Sequence, residues 1–148
     1  MAKLFRKVVR AFAAGEIIFV QGADADGIYS VQTGRVSVFK TVPAQGGPQE
    51  IELVQLGPGS MFGEMAMLGQ AKRDASVRAL EFTEVLIITN EMFESQMAAL
   101  PAWVVNFVKI LINRLRNTND KLASAIQLLE ANGIKIPEDR PVPPSKGA

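Results

Sequence analysis

The stretch that decides the fold is residues 62–76, which read Phe-Gly-Glu-Met-Ala-Met-Leu-Gly-Gln-Ala-Lys-Arg-Asp-Ala-Ser. Gly63 and Glu64 stand where a short helical turn can begin, and Arg73 follows nine residues after Glu64, beyond a bend that contains glycine. Free N–H groups at a helix start attract an anion, and a guanidinium can close over it with paired hydrogen bonds. A carboxylate beside the glycine can accept a hydrogen bond from a sugar hydroxyl. The stretch therefore predicts a binding site for a small phosphorylated sugar, with no bound metal and no catalysed reaction.

Composition narrows the class of protein. The chain has 148 residues, enough for one domain, and its net charge of +1 gives no reason to expect nucleic acid or a membrane surface as a partner. It contains neither Cys nor His. Thiolate nucleophiles, disulfides and histidine-ligated metals are therefore excluded, and acid–base catalysis would depend on carboxylates or lysine. We expect a cytoplasmic binding protein rather than an enzyme.

Residues 14–89 have the pattern of a β-rich domain. Short runs of β-forming residues lie at 16–20, 28–40, 51–56, 76–80 and 85–88, and a Thr33-Gly34 break divides the second run into two strands. Short strands separated by glycine-rich turns are typical of a β-sandwich or roll. We predict a mainly β fold with flanking helices: a β-roll or jelly roll of about eight strands, a short N-terminal helix over 1–13 and a long C-terminal helix.

After Thr89 the spacing of apolar residues changes from a period of 2 to 3.6. Thr89 or Asn90 can cap a short helix through Ala99, and Pro101 suits the first turn of a longer helix. In that longer helix the apolar positions form a seven-residue repeat in two rows: Val104, Leu111, Thr118 and Ala125, and Val108, Leu115, Leu122 and Leu129. The lower half of this stripe predicts a two-stranded seam and hence a homodimer. The upper half, with Trp103, Phe107 and Ile112, is expected to pack on the β-roll, and the Pro-rich residues 133–148 are expected to be disordered.

The stretch quoted above resembles the phosphate-binding cassette of cyclic-nucleotide-binding domains. The family pattern is Phe-Gly-Glu-hydrophobic-Ala/Gly-hydrophobic, a loop, then Arg-x-Ala-Ser/Thr-Val, and this chain matches it at 62–67 and 73–77 in residues and in spacing. The resemblance covers about residues 10–132. It implies a cyclic-nucleotide-binding domain over 1–132, with the β-roll at 14–89 and the C-terminal helices at 90–132.

The resemblance also implies roles for individual residues. The phosphate would be bound by Arg73, Met65, Ala66 and Ser76, and the ribose by Gly63 and Glu64. The segment 114–121 is similar to the C-helix of transcription factors in this family, where a Thr-Ser pair contacts adenine, which implies base contacts from Thr118 and Asn119, with Leu53 as a third. Phe62, Asp74 and Ala75 adjoin the site without a defined role.

Asp74 departs from the family pattern, which has Ala, Ser or Thr at this position. A carboxylate beside a phosphate should repel it. Either Asp74 points away from the ligand, or it binds a ligand donor such as the amino group of guanine, or it pairs with Arg73 in the empty state.

The resemblance implies a stand-alone regulatory protein that binds a cyclic nucleotide, most readily cAMP, and signals to an unknown effector protein through movement of its C-terminal helix. No direct DNA binding and no membrane partner is expected. Two alternatives stay open: a module for cGMP or a cyclic dinucleotide, with Asp74 reading guanine, and a dimerisation scaffold whose pocket does not bind.

Overall fold

The computed structural model describes residues 8–68 and 72–135. The strands are β1 (Val8–Phe12), β2 (Ile17–Phe19), β3 (Gly27–Thr33), β4 (Val36–Val42), β5 (Gln49–Leu56), β6 (Met61–Phe62), β7 (Ser76–Ala79) and β8 (Thr83–Thr89). The helices are α1 (Glu64–Leu68), α2 (Asn90–Met97) and α3 (Ala102–Ala131). The predicted mainly β fold with a long C-terminal helix is confirmed.

The strands form two antiparallel four-stranded sheets. The first has the order β1-β8-β3-β6 and the second the order β2-β7-β4-β5. The apolar side chains that face each other between the sheets form a single buried cluster: Tyr29, Val31, Val36, Phe62, Val77, Val85 and Ile87. Phe62, at the start of the cassette, and Val77, directly after its end, both belong to this cluster, so the core holds both ends of the binding segment.

A tight turn at Gly34 passes the chain from the first sheet to the second. Its φ of +82° is a left-handed conformation that side chains other than glycine rarely adopt, and a Cβ there would lie 2.3 Å from the carbonyl oxygen of Phe82. The predicted Thr33-Gly34 break is therefore the turn between β3, which ends at Thr33, and β4, which begins at Val36.

The start of the chain differs from the expectation. Residues 8–12 were assigned to an N-terminal helix, but they form β1, which pairs with β8 in the register Val8↔Ile87 to Phe12↔Thr83. The partner strand lies more than seventy residues away, so local sequence could not reveal the pairing. Residues 1–7 of the predicted helix lie outside the described residues, as does the predicted disordered tail beyond residue 135.

The C-terminal helices begin close to where the sequence places them. The Thr89 hydroxyl accepts a hydrogen bond from the N–H of Met92 and caps α2, and Pro101 immediately precedes α3. α3 packs against α1 and β5 and buries Ile112 and Ala123. The expected packing of the upper half is wrong for Trp103 and Phe107, which are 71% and 55% exposed. The side of α3 that faces the β-roll passes through Ile112 and Ala123, and these two aromatic residues lie outside it.

None of the helices in the described ranges has the length and apolar character needed to cross a bilayer.

Candidate functional site

A cavity of about 210 Å³ opens between the second sheet, the cassette and α3. Its floor is apolar and comes from the sheets and the core: Phe19, Val38, Val54, Leu56, Met61, Phe62 and Val77. Its rim is made by the cassette and by α3: Gly63, Glu64, Met65, Ala66, Arg73, Asp74, Ala75 and Asn119. An apolar floor with a few polar groups converging at one end is typical of a small-molecule site.

Arg73 is the most deeply buried charged residue of this rim, at 2% exposure. One terminal nitrogen, Nη1, donates to the carbonyl oxygen of Gly63 at 2.8 Å. The other, Nη2, donates to the carbonyl oxygen of Gly27 and to Asp26 Oδ1, each at 2.8 Å. The guanidinium carbon also lies 4.1 Å from the ring centroid of Phe19, a cation–π contact. The guanidinium is therefore fixed in place before any ligand arrives.

One donor of Arg73 remains unused. Its Nε is buried, and among the buried side-chain nitrogen and oxygen atoms of the described residues it is the one that has no hydrogen-bond partner. A buried donor without a partner costs free energy, about 1–3 kcal/mol in proteins. An anion in the cavity that accepted from this nitrogen would remove that cost, so the arrangement favours a negatively charged ligand.

Asp26 supplies the counter-charge for Arg73. Its carboxylate accepts hydrogen bonds from the Tyr29 hydroxyl at 2.8 and 2.9 Å and from Arg73 at 2.8 Å. Burial by itself would raise the pKa of Asp26, but the hydrogen bonds from Tyr29 and Arg73 outweigh it and lower the pKa. Burial and the bond to Asp26 raise the pKa of Tyr29 to about 12, so the hydroxyl stays protonated as a donor.

The first turn of α1 carries Glu64, Met65 and Ala66 along the cavity rim. Backbone N–H groups in a first helical turn have no partner within the helix, so they can bind an anion. Gly63 precedes this turn with φ +83°, and a Cβ there would lie 2.6 Å from Nη1 of Arg73. Glycine is therefore required for two reasons: the left-handed backbone, and the space that Arg73 occupies.

Glu64 has the electrostatics of a carboxylate taken partly out of water. Burial raises its pKa, while its own backbone N–H and the charge of Arg73 oppose the rise. The pKa of Glu64 is higher in the folded than in the unfolded protein. Ionising Glu64 therefore lowers the stability of the fold as the pH rises from the unfolded pKa through the folded pKa. A ligand hydroxyl that donates to the carboxylate would offset this cost.

α3 reaches the site through two side chains. Arg116 donates from Nε to Asp74 Oδ2 at 2.7 Å and from Nη2 to the carbonyl oxygen of Met65 at 2.9 Å. The Asn119 amide contacts Met65 Sδ at 3.7 Å and lines the cavity. The helix therefore covers one side of the cavity with an amide, which can both donate and accept hydrogen bonds.

The structure brings most of the predicted site residues to the cavity. Phe62, Gly63, Glu64, Met65, Ala66, Arg73, Asp74, Ala75 and Asn119 all line it, while the lining among the described residues does not include Leu53, Ser76 or Thr118. The hydroxyl of Ser76 accepts from the N–H of Gln21, and that of Thr118 donates to the carbonyl oxygen of Arg114. Leu53 lies at an irregularity of the β4–β5 pairing, and its neighbour Val54 lines the cavity instead.

Two functional residues were missed by the sequence reasoning. They are Asp26 and Arg116, for which the sequence analysis gives no role of their own. Asp26 pairs with Arg73 from 47 positions away, and Arg116 pairs with Asp74 across 42. The one available signal was the cluster Asp24-Ala25-Asp26 directly before a predicted β-strand. Either carboxylate could have been considered as a counter-charge for the candidate anion-binding Arg73.

Within the described residues no group of three or more acidic side chains is placed to hold a metal ion. The fold and the site together are those of a domain with a cavity suited to a small anionic ligand beside α3. The model of the cyclic nucleotide-binding domain family matches residues 9–99, more than half of the chain. The chain belongs to the cyclic nucleotide-binding domain family.

Several relatives cover most of this chain. The cyclic AMP receptor protein of Thermus thermophilus is 37% identical over 113 residues, which are 76% of this chain and 51% of that protein. A CRP-like cAMP-activated global transcriptional regulator of Mycobacterium tuberculosis is 27% identical over 78% of this chain and 50% of its own length. The chain therefore spans about half the length of these two relatives.

Solved structures show the same likeness. The cAMP-bound form of the EAL enzyme Bd1971 aligns with a TM-score of 0.71 and 32% identity, covering 84% of this chain and 32% of that one. The Thermus thermophilus catabolite activator protein aligns with a TM-score of 0.62 and 37% identity, covering 78% and 53% of the two chains.

The contact between Gly63 and Arg73 can be tested by paired glycine substitutions. Gly59 has nearly the same backbone, with φ +85°, but open space around its Cβ position. Gly59→Ala should therefore lower the free energy of unfolding by only about 1–2 kcal/mol, the cost of a left-handed alanine. Gly63→Ala should lower it by ~1–3 kcal/mol more in urea denaturation, because the buried bond from Arg73 is lost as well. Equal losses for the two variants would contradict the contact.

The Asp26–Arg73 pair predicts a dependence of stability on pH. The lowered pKa of Asp26 means that its carboxylate stabilises the fold above its unfolded pKa of about 3.9, and that this contribution is lost as the pH falls from there through the lower folded pKa. At pH 7 we expect Asp26→Asn to cost about 1–2 kcal/mol, less than a fully buried pair because the Asp26 side chain is 57% exposed. The difference from wild type should shrink below pH 4.

The matched control is Asp24→Asn, because Asp24 pairs with Lys72 on the surface and is 88% exposed. Its loss should be small at every pH. A gap between wild type and Asp26→Asn that stays constant from pH 7 to pH 3 would refute the pairing.

Proposed function

We propose that this chain binds a cyclic nucleotide, cAMP in the first place, and acts as a regulatory protein that signals through α3. The observation that carries the proposal is the buried, fully oriented Arg73, whose Nε has no hydrogen-bond partner and whose side chain lines the same cavity as the first turn of α1. A cyclic phosphate seated there would accept from Nε and from the N–H groups of Met65 and Ala66. Gly63 leaves room for the close approach, and the Glu64 carboxylate would accept from the ribose hydroxyl.

The base would lie between the apolar floor and α3. Val54 and Leu56 offer apolar contact, and the Asn119 amide can serve the amino group and the ring nitrogens of adenine. Relatives support this choice: two of them are named for cAMP, and the EAL enzyme was solved with cAMP bound and, separately, with cGMP bound. A cyclic GMP ligand is therefore the second candidate.

Signalling would follow from the placement of Asn119 on α3. A ligand that contacts both the cassette and α3 binds more tightly when α3 is close to the cassette, and it shifts the helix toward that position only by this difference in affinity. An effector protein, still to be identified, would distinguish the two positions. The proposed role is binding rather than catalysis, since the sequence has no histidine or cysteine to serve a reaction. A cytoplasmic location is part of the same proposal.

The test is calorimetric titration with cAMP and with cGMP, using wild type and Arg73→Lys. Lysine keeps the charge but cannot reproduce the fixed fork to Gly63, Gly27 and Asp26, so we expect cAMP binding to weaken on the order of 10²-fold, the loss typical of a buried charged pair. The matched control is Arg78→Lys on β7, whose partly exposed pair with Glu50 lies outside the cavity lining. It should bind like wild type.

Absence of wild-type binding to both nucleotides would overturn the proposal, and an unchanged dissociation constant in Arg73→Lys would overturn the role of Arg73. Preference for cGMP would replace the first ligand by the second. Recovery of unaltered nucleotide after prolonged incubation is expected, whereas a hydrolysed product would show an enzyme.

We further propose that the chain forms a homodimer through the stripe of leucines on α3. Leu111, Leu115, Leu122 and Leu129 are 40–51% exposed, and they recur at the spacing of a two-stranded seam. The stripe lies beside, and not on, the side that packs against the β-roll, so a second helix can reach it.

Leu115→Glu should convert the dimer to a monomer in sedimentation equilibrium, because it places a charge in the apolar seam. Ile110→Glu is the matched control, since Ile110 is equally exposed, at 51%, but lies on a different side of the helix. A monomeric wild type, or a dimer that persists in Leu115→Glu, would refute this interface.

A further inference from the structure

The contact between α3 and the cassette is concentrated on Arg116. This side chain donates to the Asp74 carboxylate at 2.7 Å, to the Met65 carbonyl at 2.9 Å and to Asn113 on its own helix at 3.4 Å. Its three nitrogens are thus all engaged, two of them with the cassette. The planar fork of arginine suits a site in which two acceptors must be held in fixed directions.

The two acceptors lie at opposite ends of the ligand-binding segment. Met65 is in the first turn of α1, and Asp74 directly follows Arg73; both line the cavity. One arginine therefore ties together the two backbone regions between which an anion would sit. If either region moves, at least one of the two contacts is stretched or broken.

The pair of charges is partly shielded from water. The side chains of Arg116 and Asp74 are each 20% exposed, so their attraction is stronger than that of a surface pair. The carboxylate of Asp74 is also occupied: Oδ2 accepts from Arg116 Nε. The negative charge that would repel a phosphate is therefore neutralised by α3 and is not directed at Arg73.

Asn119 lies on α3 between the Arg116 contact and a second anchor at Asp120. It follows Arg116 by three residues, slightly less than one helical turn, so both side chains lie on the same side of α3. The nearest further anchor toward the C-terminus is the Lys40–Asp120 ion pair, which holds the lower half of the helix to β4. Without Arg116, α3 would keep only the weak contact of the Asn119 amide with Met65 Sδ as a side-chain polar contact to the cassette among the described residues.

We propose that Arg116 is a positioning residue that holds α3 over the cavity by pairing with Asp74, and that Asp74 anchors this helix rather than reading the base. The inference rests on the proposed function for its ligand, but the helix contact itself exists without one. It gives a reason for the carboxylate after Arg73, where the family pattern has Ala, Ser or Thr. Asp74 favours the position in which α3 lies over the cavity.

The first experiment needs no nucleotide. Because the sequence has no cysteine, Gln32→Cys on β3 and Asn106→Cys in the part of α3 before Arg116, both exposed, can carry two spin labels at defined places. Labelled protein is diluted into unlabelled protein to suppress distances between copies. Wild type should give one narrow distance distribution, and Arg116→Ala a broader or displaced one. Lys121→Ala, an exposed cation on the same helix, is the matched control and should match wild type.

The second experiment is a double-mutant cycle on nucleotide dissociation. Arg116→Ala should speed the release of cAMP by about fivefold or more, and the same substitution made in Asp74→Ala should have an effect within about twofold, because its main partner is already gone. Exchange of the two charges, Asp74→Arg with Arg116→Asp, should restore part of the slow release. Urea denaturation measures the free energy of unfolding of each variant in parallel. The increase in the release rate of Arg116→Ala should be larger than its loss of global stability explains.

Asp74→Ala separates the anchor from a base reader. An anchor predicts that cAMP and cGMP both bind more weakly and by similar factors, whereas a reader of guanine predicts a change in their ratio. Additive effects in the cycle, or an unchanged spin-label distance in Arg116→Ala, would overturn the proposal. If wild type binds neither nucleotide, the proposed function fails while the spin-label result still decides the role of Arg116.

Discussion

The burial of one positive charge organises this protein. A guanidinium that is 2% exposed cannot remain charged in an apolar core without acceptors, so the surrounding chain must supply them. Arg73 receives two backbone carbonyl oxygens, one carboxylate and an aromatic ring, drawn from β2, β3, the turn before β3 and the residue before α1. These segments are far apart in sequence, and their common partner holds them around one end of the cavity.

That constraint also explains why the site is formed in advance. The backbone of Arg73 is fixed as well, since its N–H donates to the Ala23 carbonyl and its own carbonyl accepts from Gly22. A ligand therefore meets an arginine whose conformational entropy has already been lost during folding, and binding need not order it again. The stacked Phe62 and Tyr29 rings below it, 5.2 Å apart, give the cassette a rigid base.

The sequence revealed those parts of the site that are encoded locally. The spacing of Gly63, Glu64 and Arg73 is a local pattern, and so is the change from strand to helix periodicity near Thr89. Asp26 and Arg116 depend on contacts across more than forty residues, which no local pattern encodes. Thr118 and Asn119 differ by one position, a rotation of about 100° on a helix, and only packing decides which of them faces the cavity. β1 was missed for the same reason, because its pairing with β8 is a tertiary contact.

α3 combines two demands that are met on neighbouring sides of one helix. One side carries Ile112, Arg116, Asn119 and Ala123 and rests on the β-roll and the cassette; the adjacent side presents the exposed leucines. Because a helix moves as a rigid element over this length, a shift of Arg116 or Asn119 relative to the cassette must turn the leucine side as well. Under the proposed function, the residues that close the cavity would also set the orientation of an apolar surface outside it. No long chain of contacts would be needed between the cavity and that surface, since α3 lines the first and carries the second.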